Sequence, residues 1–183
     1  MSAPASGGQG GKTAARLLVN SFTVTAPLSR YVKFTLPAGI SPHEKGDENR
    51  PDAIMAKSLL GDGSLPHKGI FDTGATNSVI SVDLAKRLAL PVLGKYDVGT
   101  AGGVVRQTVH MVNFVLPNNV ICSARLVTAA PLGKIDFLLG MDIISMGNAF
   151  IINSHDFLAL TFTMYSRADA SPAGPPGPPA RLV

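Results

Sequence analysis

Ile70-Phe71-Asp72-Thr73-Gly74-Ala75-Thr76-Asn77-Ser78 is the stretch that decides how the rest of this chain is read, and a second apolar pair, Val79-Ile80, follows it at once. A carboxylate between apolar flanks is costly to bury unless it is paired or hydrogen-bonded. Gly74 lets the backbone turn sharply, and Thr73 brings a hydroxyl for neighbouring backbone groups. These residues predict a carboxylate on a tight loop at the end of a buried strand. Asp72-Thr73-Gly74 also fits an ordinary turn led by Asp, because Asp and Gly are favoured turn residues.

Immediately upstream, Ile54 to Leu60 reads as a strand, Gly61-Asp62-Gly63 as a hairpin turn, and Lys68 to Phe71 as the return strand that delivers Asp72. Further back, Leu17-Leu18-Val19, Phe22 to Thr25 and Tyr31 to Leu36 favour β-branched and aromatic residues and read as strands. Residues 37–53 read as a polar loop, with Pro37, Gly39, Pro42, Gly46 and Pro51 as breakers.

Downstream, Ser81 is an N-cap for a helix over Val82 to Leu90, with Asp83 in its first turn and Lys86 and Arg87 near its end; Pro91 stops it. Lys95 to Val115 has the pattern of a long hairpin. Its tip, Gly99-Thr100-Ala101-Gly102-Gly103, holds three glycines in five residues, which predicts mobility. Met111 to Leu116 and Ile121 to Thr128 read as strands split by Pro117-Asn118-Asn119. Asp136 to Ile144 is an apolar strand ending in Gly140 and entering a short helix from Asp142. Ala149 to Ile152 and Phe157 to Phe162 form a hairpin about Asn153-Ser154-His155-Asp156. With two short helices among many strands, the fold class is mainly β.

The 183 residues suit one domain, with 45% hydrophobic residues for a core and 19 Gly and 14 Pro for its turns. The organisation expected is a flexible Gly/Ser-rich segment at 1–15, a folded domain at 16–165 and a disordered Pro/Gly-rich tail at 166–183. A net charge of +4 without a dense Lys/Arg run excludes a nucleic-acid stripe. The apolar run Phe137 to Ile152 is too short and too polar to span a membrane, and Met1 to Gly11 lacks the pattern of a secretory signal, so a cytoplasmic location is expected. The one cysteine, Cys122, reads as a small buried apolar residue. His43, His67, His110 and His155 have no ligand spacing, and no metal or cofactor is expected. Ser6 to Thr13 resembles a phosphate-binding P-loop, but its first position is Ser and no strand precedes it.

The pairing of Ile-Phe-Asp-Thr-Gly-Ala-Thr at 70–76 with Leu-Leu-Gly-Met-Asp at 138–142 resembles the retropepsin-like aspartic proteases, and most of all their cellular and bacterial members. The resemblance runs from about Leu59 to Phe162. It implies a half-barrel with a flap hairpin and one or two short helices, and a strand with Gly threading behind the Asp72 loop. It assigns catalysis to Asp72, loop support to Thr73, Gly74 and Ala75, and substrate closure to a flap at Gly99, Thr100, Ala101, Gly102 and Gly103; an ordinary Gly-rich turn is the alternative for the last. Where viral members carry acids, this chain has Thr76 and Asn77, and where they carry an Arg it has Met141, so both sides of their ion pair are absent together.

Peptide hydrolysis of this kind needs two carboxylates sharing one proton, one to activate water and one to polarise the scissile carbonyl. The chain has one Asp-Thr-Gly and no internal repeat. The expectation is a homodimeric aspartic endopeptidase acting on polypeptide, with one Asp72 from each chain across a two-fold axis. Asp142 is expected to support the start of its helix, not to serve as the second carboxylate. The alternative function is a catalytically silent retropepsin-like binding or dimerisation domain.

Overall fold

The structure is a computed structural model, and it describes residues 17–27, 33–100, 102–153 and 155–167. The strands are β1 (Leu17–Pro27), β2 (Thr35–Pro42), β3 (His67–Phe71), β4 (Val79–Ser81), β5 (Gly94–Thr100), β6 (Gly103–Leu116), β7 (Val120–Ala130), β8 (Phe137–Leu139), β9 (Gly147–Asn153) and β10 (Phe157–Arg167). The helices are α1 (Pro51–Ser58), α2 (Val82–Arg87) and α3 (Met141–Ile144). The mainly β class expected from the sequence holds. Ala101, Ser154 and the segments 1–16, 28–32 and 168–183 lie outside the described residues, and with them the P-loop-like stretch, Tyr31-Val32 and nearly all of the tail.

One sheet runs β2-β3-β8-β4-β7-β6-β5, and β2 also pairs with β6, which closes it into a barrel with β5 outside the ring. The closure is made by one strand in two halves. Thr35 to Ala38 pair with β3, and Gly39 to Pro42 pair with β6. Inside lie Leu36, Ile40, Ile80, Leu84, Phe114, Phe137 and Leu139, each at most 1% exposed, and the rings of Phe114 and Phe137 meet edge-on at 5.8 Å. Burial of such side chains is worth about 1.5–3 kcal/mol apiece, so this core carries the fold.

The second sheet has the order β1-β10-β9. Its inner face brings Phe22, Leu160 and Phe162 to the barrel, where Phe162 meets Phe71 at 5.8 Å. Phe71 is the residue before Asp72, so the small sheet buttresses the strand that delivers the carboxylate.

Several local expectations are corrected. Residues 54–60 are not a strand: 54–58 lie in helix α1 and Leu59-Leu60 follow it; Pro51 occupies the first turn with Asp52, Lys57 lies in the last turn, and only Ile54 and Ser58, one helical turn apart, are buried. The turn at Gly61-Asp62-Gly63 therefore joins a helix to β3 and closes no hairpin. Residues 37–53 are not a loop. They hold most of β2, a 3-10 turn at Asp47–Asn49 and the start of α1. There are three α-helices among the described residues, not two.

Gly39 shows why β2 escaped notice. A Cβ there would collide with the backbone carbonyl of Ser58, so α1 packs directly on the strand at the one residue without a side chain. The buried Asp47 carboxylate then ties this region to β6. Burial alone would raise its pKa, but bonds from Glu44 N (2.9 Å), Asn113 Nδ2 (2.8 Å) and Lys57 Nζ (3.3 Å) outweigh it and leave it lowered. Ser81 caps α2 as expected, accepting from Leu84 N at 3.0 Å, and α2 ends at Arg87, three residues short of Leu90.

Candidate active site

Asp72 follows the last residue of β3. Its N–H donates to Leu139 O at 2.9 Å, which continues the parallel pairing of β3 with β8. The loop then turns on its own carboxylate. Gly74 N donates to Asp72 Oδ1 at 2.9 Å, and Ala75 N donates to Asp72 O at 3.3 Å. The carboxylate is half-buried, with Thr73 and Gly74 exposed beside it. The structure thus brings Asp72, Thr73, Gly74 and Ala75 together on one tight loop after a buried strand, as the residues predicted. Thr73 departs from expectation: its hydroxyl has no hydrogen-bond partner among the described residues.

The loop is held from behind by α3. A helix start leaves backbone N–H groups unpaired. Here no side chain caps them. Met141 N donates to Ala75 O at 2.8 Å and Asp142 N to Thr76 O at 3.1 Å, so the Asp72 loop supplies the missing acceptors. The approach is close enough that a Cβ on Gly140 would lie 2.5 Å from Asn77 C and 2.6 Å from its O. No side chain fits there.

Ser78 completes the joint. Fully buried, it donates from Oγ to Asp142 Oδ1 at 2.7 Å and accepts from Gly140 N at 3.0 Å. Burial pushes the Asp142 carboxyl above the usual range, with the Ser78 hydroxyl pulling the other way. Asp142 thus serves the helix start and the loop together. Ser78 was passed over in the sequence because a lone Ser after an Asp-Thr-Gly loop carries no signal until α3 is placed against it.

A cleft of about 350 Å³ opens beside Asp72 and Thr73. Phe34, Ile70, Phe71 and Ile151 make it apolar, and Lys33 is the one cation in its lining. Neither Lys33 nor Ile151 stood out in the sequence; they reach the cleft through strand pairing and sheet packing. The hairpin tip does not line this cleft. Gly99 and Thr100 end β5, Gly102 lies in the turn, Gly103 opens β6, and Ala101 lies outside the described residues. The turn is closed by Thr100 Oγ1 donating to Gly103 O at 2.8 Å. Cys122 is buried with its thiol pushed up to about 12 by burial, consistent with an inert apolar role. Among the described residues no group of three or more His, Cys, Asp or Glu could hold a metal ion, and no helix is long and apolar enough to cross a membrane.

Fold and loop together define a β-barrel that carries a single Asp-Thr-Gly loop beside an apolar cleft. The family described as "gag-polyprotein putative aspartyl protease" matches residues 62–146, from the turn before β3 through α3. The resemblance to retropepsin-like aspartic proteases read from the sequence is thus shown over that segment. Solved structures similar to it include a retropepsin-like aspartic protease from Rickettsia conorii, with 14% identity, TM-score 0.47, and coverage of 82% of this chain and 98% of that one. The retroviral protease-like domain of Ddi1 from Leishmania major shows 15% identity, TM-score 0.40, and coverage of 76% and 98%. Among curated proteins, none matches the chain.

Proposed function

We propose that the protein is a homodimeric aspartic endopeptidase. The observation that carries this reading is the Asp72 carboxylate itself: fixed by Gly74 N at 2.9 Å, open to an apolar cleft, and hydrogen-bonded to no second carboxylate among the described residues. One carboxylate cannot be both the base that takes a proton from water and the acid that polarises the scissile carbonyl. A second copy supplies the other across a two-fold axis. With two like charges side by side, one proton is shared and each carboxylate takes one role. Ala75 and the loop carbonyls hold the pair in place, and the hairpin tip from Gly99 to Gly103 closes over bound polypeptide.

The exposed apolar side chains of β9 support the dimer. Phe150, Ile151 and Ile152 are 55%, 57% and 58% exposed, and β9 pairs only with β10 among the described residues. An apolar strand edge of this kind is a template for another strand. Ile151 also lines the Asp72 cleft, so a copy seated on β9 stands next to the half-site.

The test is hydrolysis of denatured casein by purified protein, with and without pepstatin, alongside sedimentation at the assay concentration. The expected result is a pepstatin-sensitive dimer that loses all turnover in Asp72→Asn while staying folded, since Asn can still accept from Gly74 N. Turnover in that variant, or an active monomer, overturns the reading. A folded dimer without hydrolysis moves the protein to the silent binding-domain alternative.

A further inference from the structure

We propose that Lys33 gives the Asp72 cleft a preference for polypeptide with an acidic side chain next to an apolar one; this rests on the peptidase reading above.

The register places Lys33. In the β2–β3 pairing Thr35 stands opposite Ile70 and Leu36 opposite Gly69. Phe71 N donates to Phe34 O at 3.0 Å, which carries the same pairing one step past β2. One residue further, Lys33 comes level with Asp72. Directly opposite residues on paired strands hold their side chains on the same face, about 5 Å apart at Cβ.

The ammonium is not consumed by its neighbour. No ion pair or hydrogen bond engages Lys33 among the described residues, Asp72 included, and the residue is exposed. The cleft therefore offers one free cation among Phe34, Ile70, Phe71 and Ile151. An apolar substrate side chain buries surface against those four. An adjacent Glu or Asp meets the Lys33 ammonium, whereas a Lys or Arg there meets like charge. Because the ammonium is solvated, the gain is that of an exposed ion pair, which corresponds to about two- to fivefold in affinity.

Two experiments test this. The first maps cleavage sites on denatured casein by mass spectrometry for the native chain and for Lys33→Glu. Cleavage should be biased about two- to fivefold toward sites flanked by Glu or Asp with Lys33, and the bias should reverse toward sites flanked by Lys or Arg in Lys33→Glu. The second needs no turnover. In the Asp72→Asn background, fluorescent peptides of Leu and Phe carrying either Glu or Gln are titrated by anisotropy. The Glu peptide should bind about two- to fivefold tighter, and the ratio should fall to unity in Lys33→Met. A ratio of unity with Lys33 present, a preference that survives Lys33→Met, or no binding of either peptide overturns the inference. A ratio of unity with Lys33 present, together with a dimer weakened by Lys33→Met, would overturn it by showing that Lys33 pairs with the other copy. Absence of casein hydrolysis with the binding preference intact sinks only the peptidase reading.

Discussion

Ser78 Oγ donates to Asp142 Oδ1 at 2.7 Å and, in the same fully buried position, accepts from Gly140 N at 3.0 Å. One hydroxyl thereby joins the end of the Asp72 loop to the end of β8 and to the first turn of α3. Ser78→Ala keeps the backbone and leaves the Gly140 N–H buried without an acceptor. A buried donor stripped of its partner costs about 1–3 kcal/mol, and the Asp142 carboxylate loses a bond as well. The expected loss is about 2–3 kcal/mol of unfolding free energy in urea, with an unchanged slope against denaturant. A midpoint equal to that of the native chain would show that the joint does not depend on this hydroxyl.

Asp142 itself makes a prediction about pH. Burial holds its carboxyl above the usual range, so the folded chain keeps that proton to higher pH than the unfolded chain does. Across that window the native state binds more protons, and stability falls as pH rises. The contribution is fully present below the unfolded value and is lost as pH rises through the folded one. Asp142→Asn does not titrate, and its amide oxygen can still accept from Ser78. Relative to the native chain, the variant should therefore be more stable at about pH 7 than at about pH 3. Asp47 and Asp136, whose pKa values are lowered, give slopes of opposite sign, but they are present in both proteins and cancel. Urea unfolding of both chains at the two pH values decides it, and a constant difference would mean that Asp142 keeps its ordinary pKa.

The Asp72 loop was legible in the sequence because its signal is local: an apolar strand, a carboxylate, a glycine, another apolar pair. The helix-capping Ser81 and the hairpin about residues 99–103 were legible for the same reason. Helix α1 was not, because Ile54 and the Leu59-Leu60 pair look like a strand unless Pro51 and Asp52 are weighed as a helix start. Strand β2 was hidden by Pro37, Gly39 and Pro42, whose place in a sheet depends on changing partners from β3 to β6 midway and on α1 packing against Gly39. Lys33 and Ile151 belong to the cleft only through long-range pairing. A single sequence does not show that Lys33 is level with Asp72, nor that β9 presents Ile151 from another sheet.

The β9 edge predicts where the dimer is vulnerable. Phe150 is 55% exposed and does not line the Asp72 cleft, so it separates assembly from substrate contact. Phe150→Glu puts a charge on an apolar strand edge, a device that blocks edge-to-edge pairing. If a second copy seats there, dissociation by sedimentation should rise by at least about tenfold, as for loss of a buried aromatic anchor. Casein hydrolysis should fall with the dimer fraction and recover at high protein concentration. An unchanged dissociation constant would place the interface elsewhere.

The hairpin tip predicts a change in turnover without a change in folding. Gly102 N donates to Thr100 Oγ1 at 3.3 Å, and Thr100 Oγ1 in turn donates to Gly103 O at 2.8 Å, so a small hydroxyl-centred network sets the shape of the turn. Gly102 to Arg106 are exposed, while the core-facing positions of β6 begin at Gln107. Gly102→Pro removes the N–H of that network and fixes φ, which stiffens the tip. Because the tip contributes little to the core, the thermal midpoint should hold within about 2 °C. If the tip must close over polypeptide, kcat/KM should fall by about ten- to a hundredfold, the scale set by misplacing a group that positions substrate. A further comparison, Thr100→Val, removes the hydroxyl while leaving Gly102 free to move, and should cost less than Gly102→Pro. A Gly102→Pro chain that folds and cleaves casein at the native rate would show that the tip is an ordinary turn.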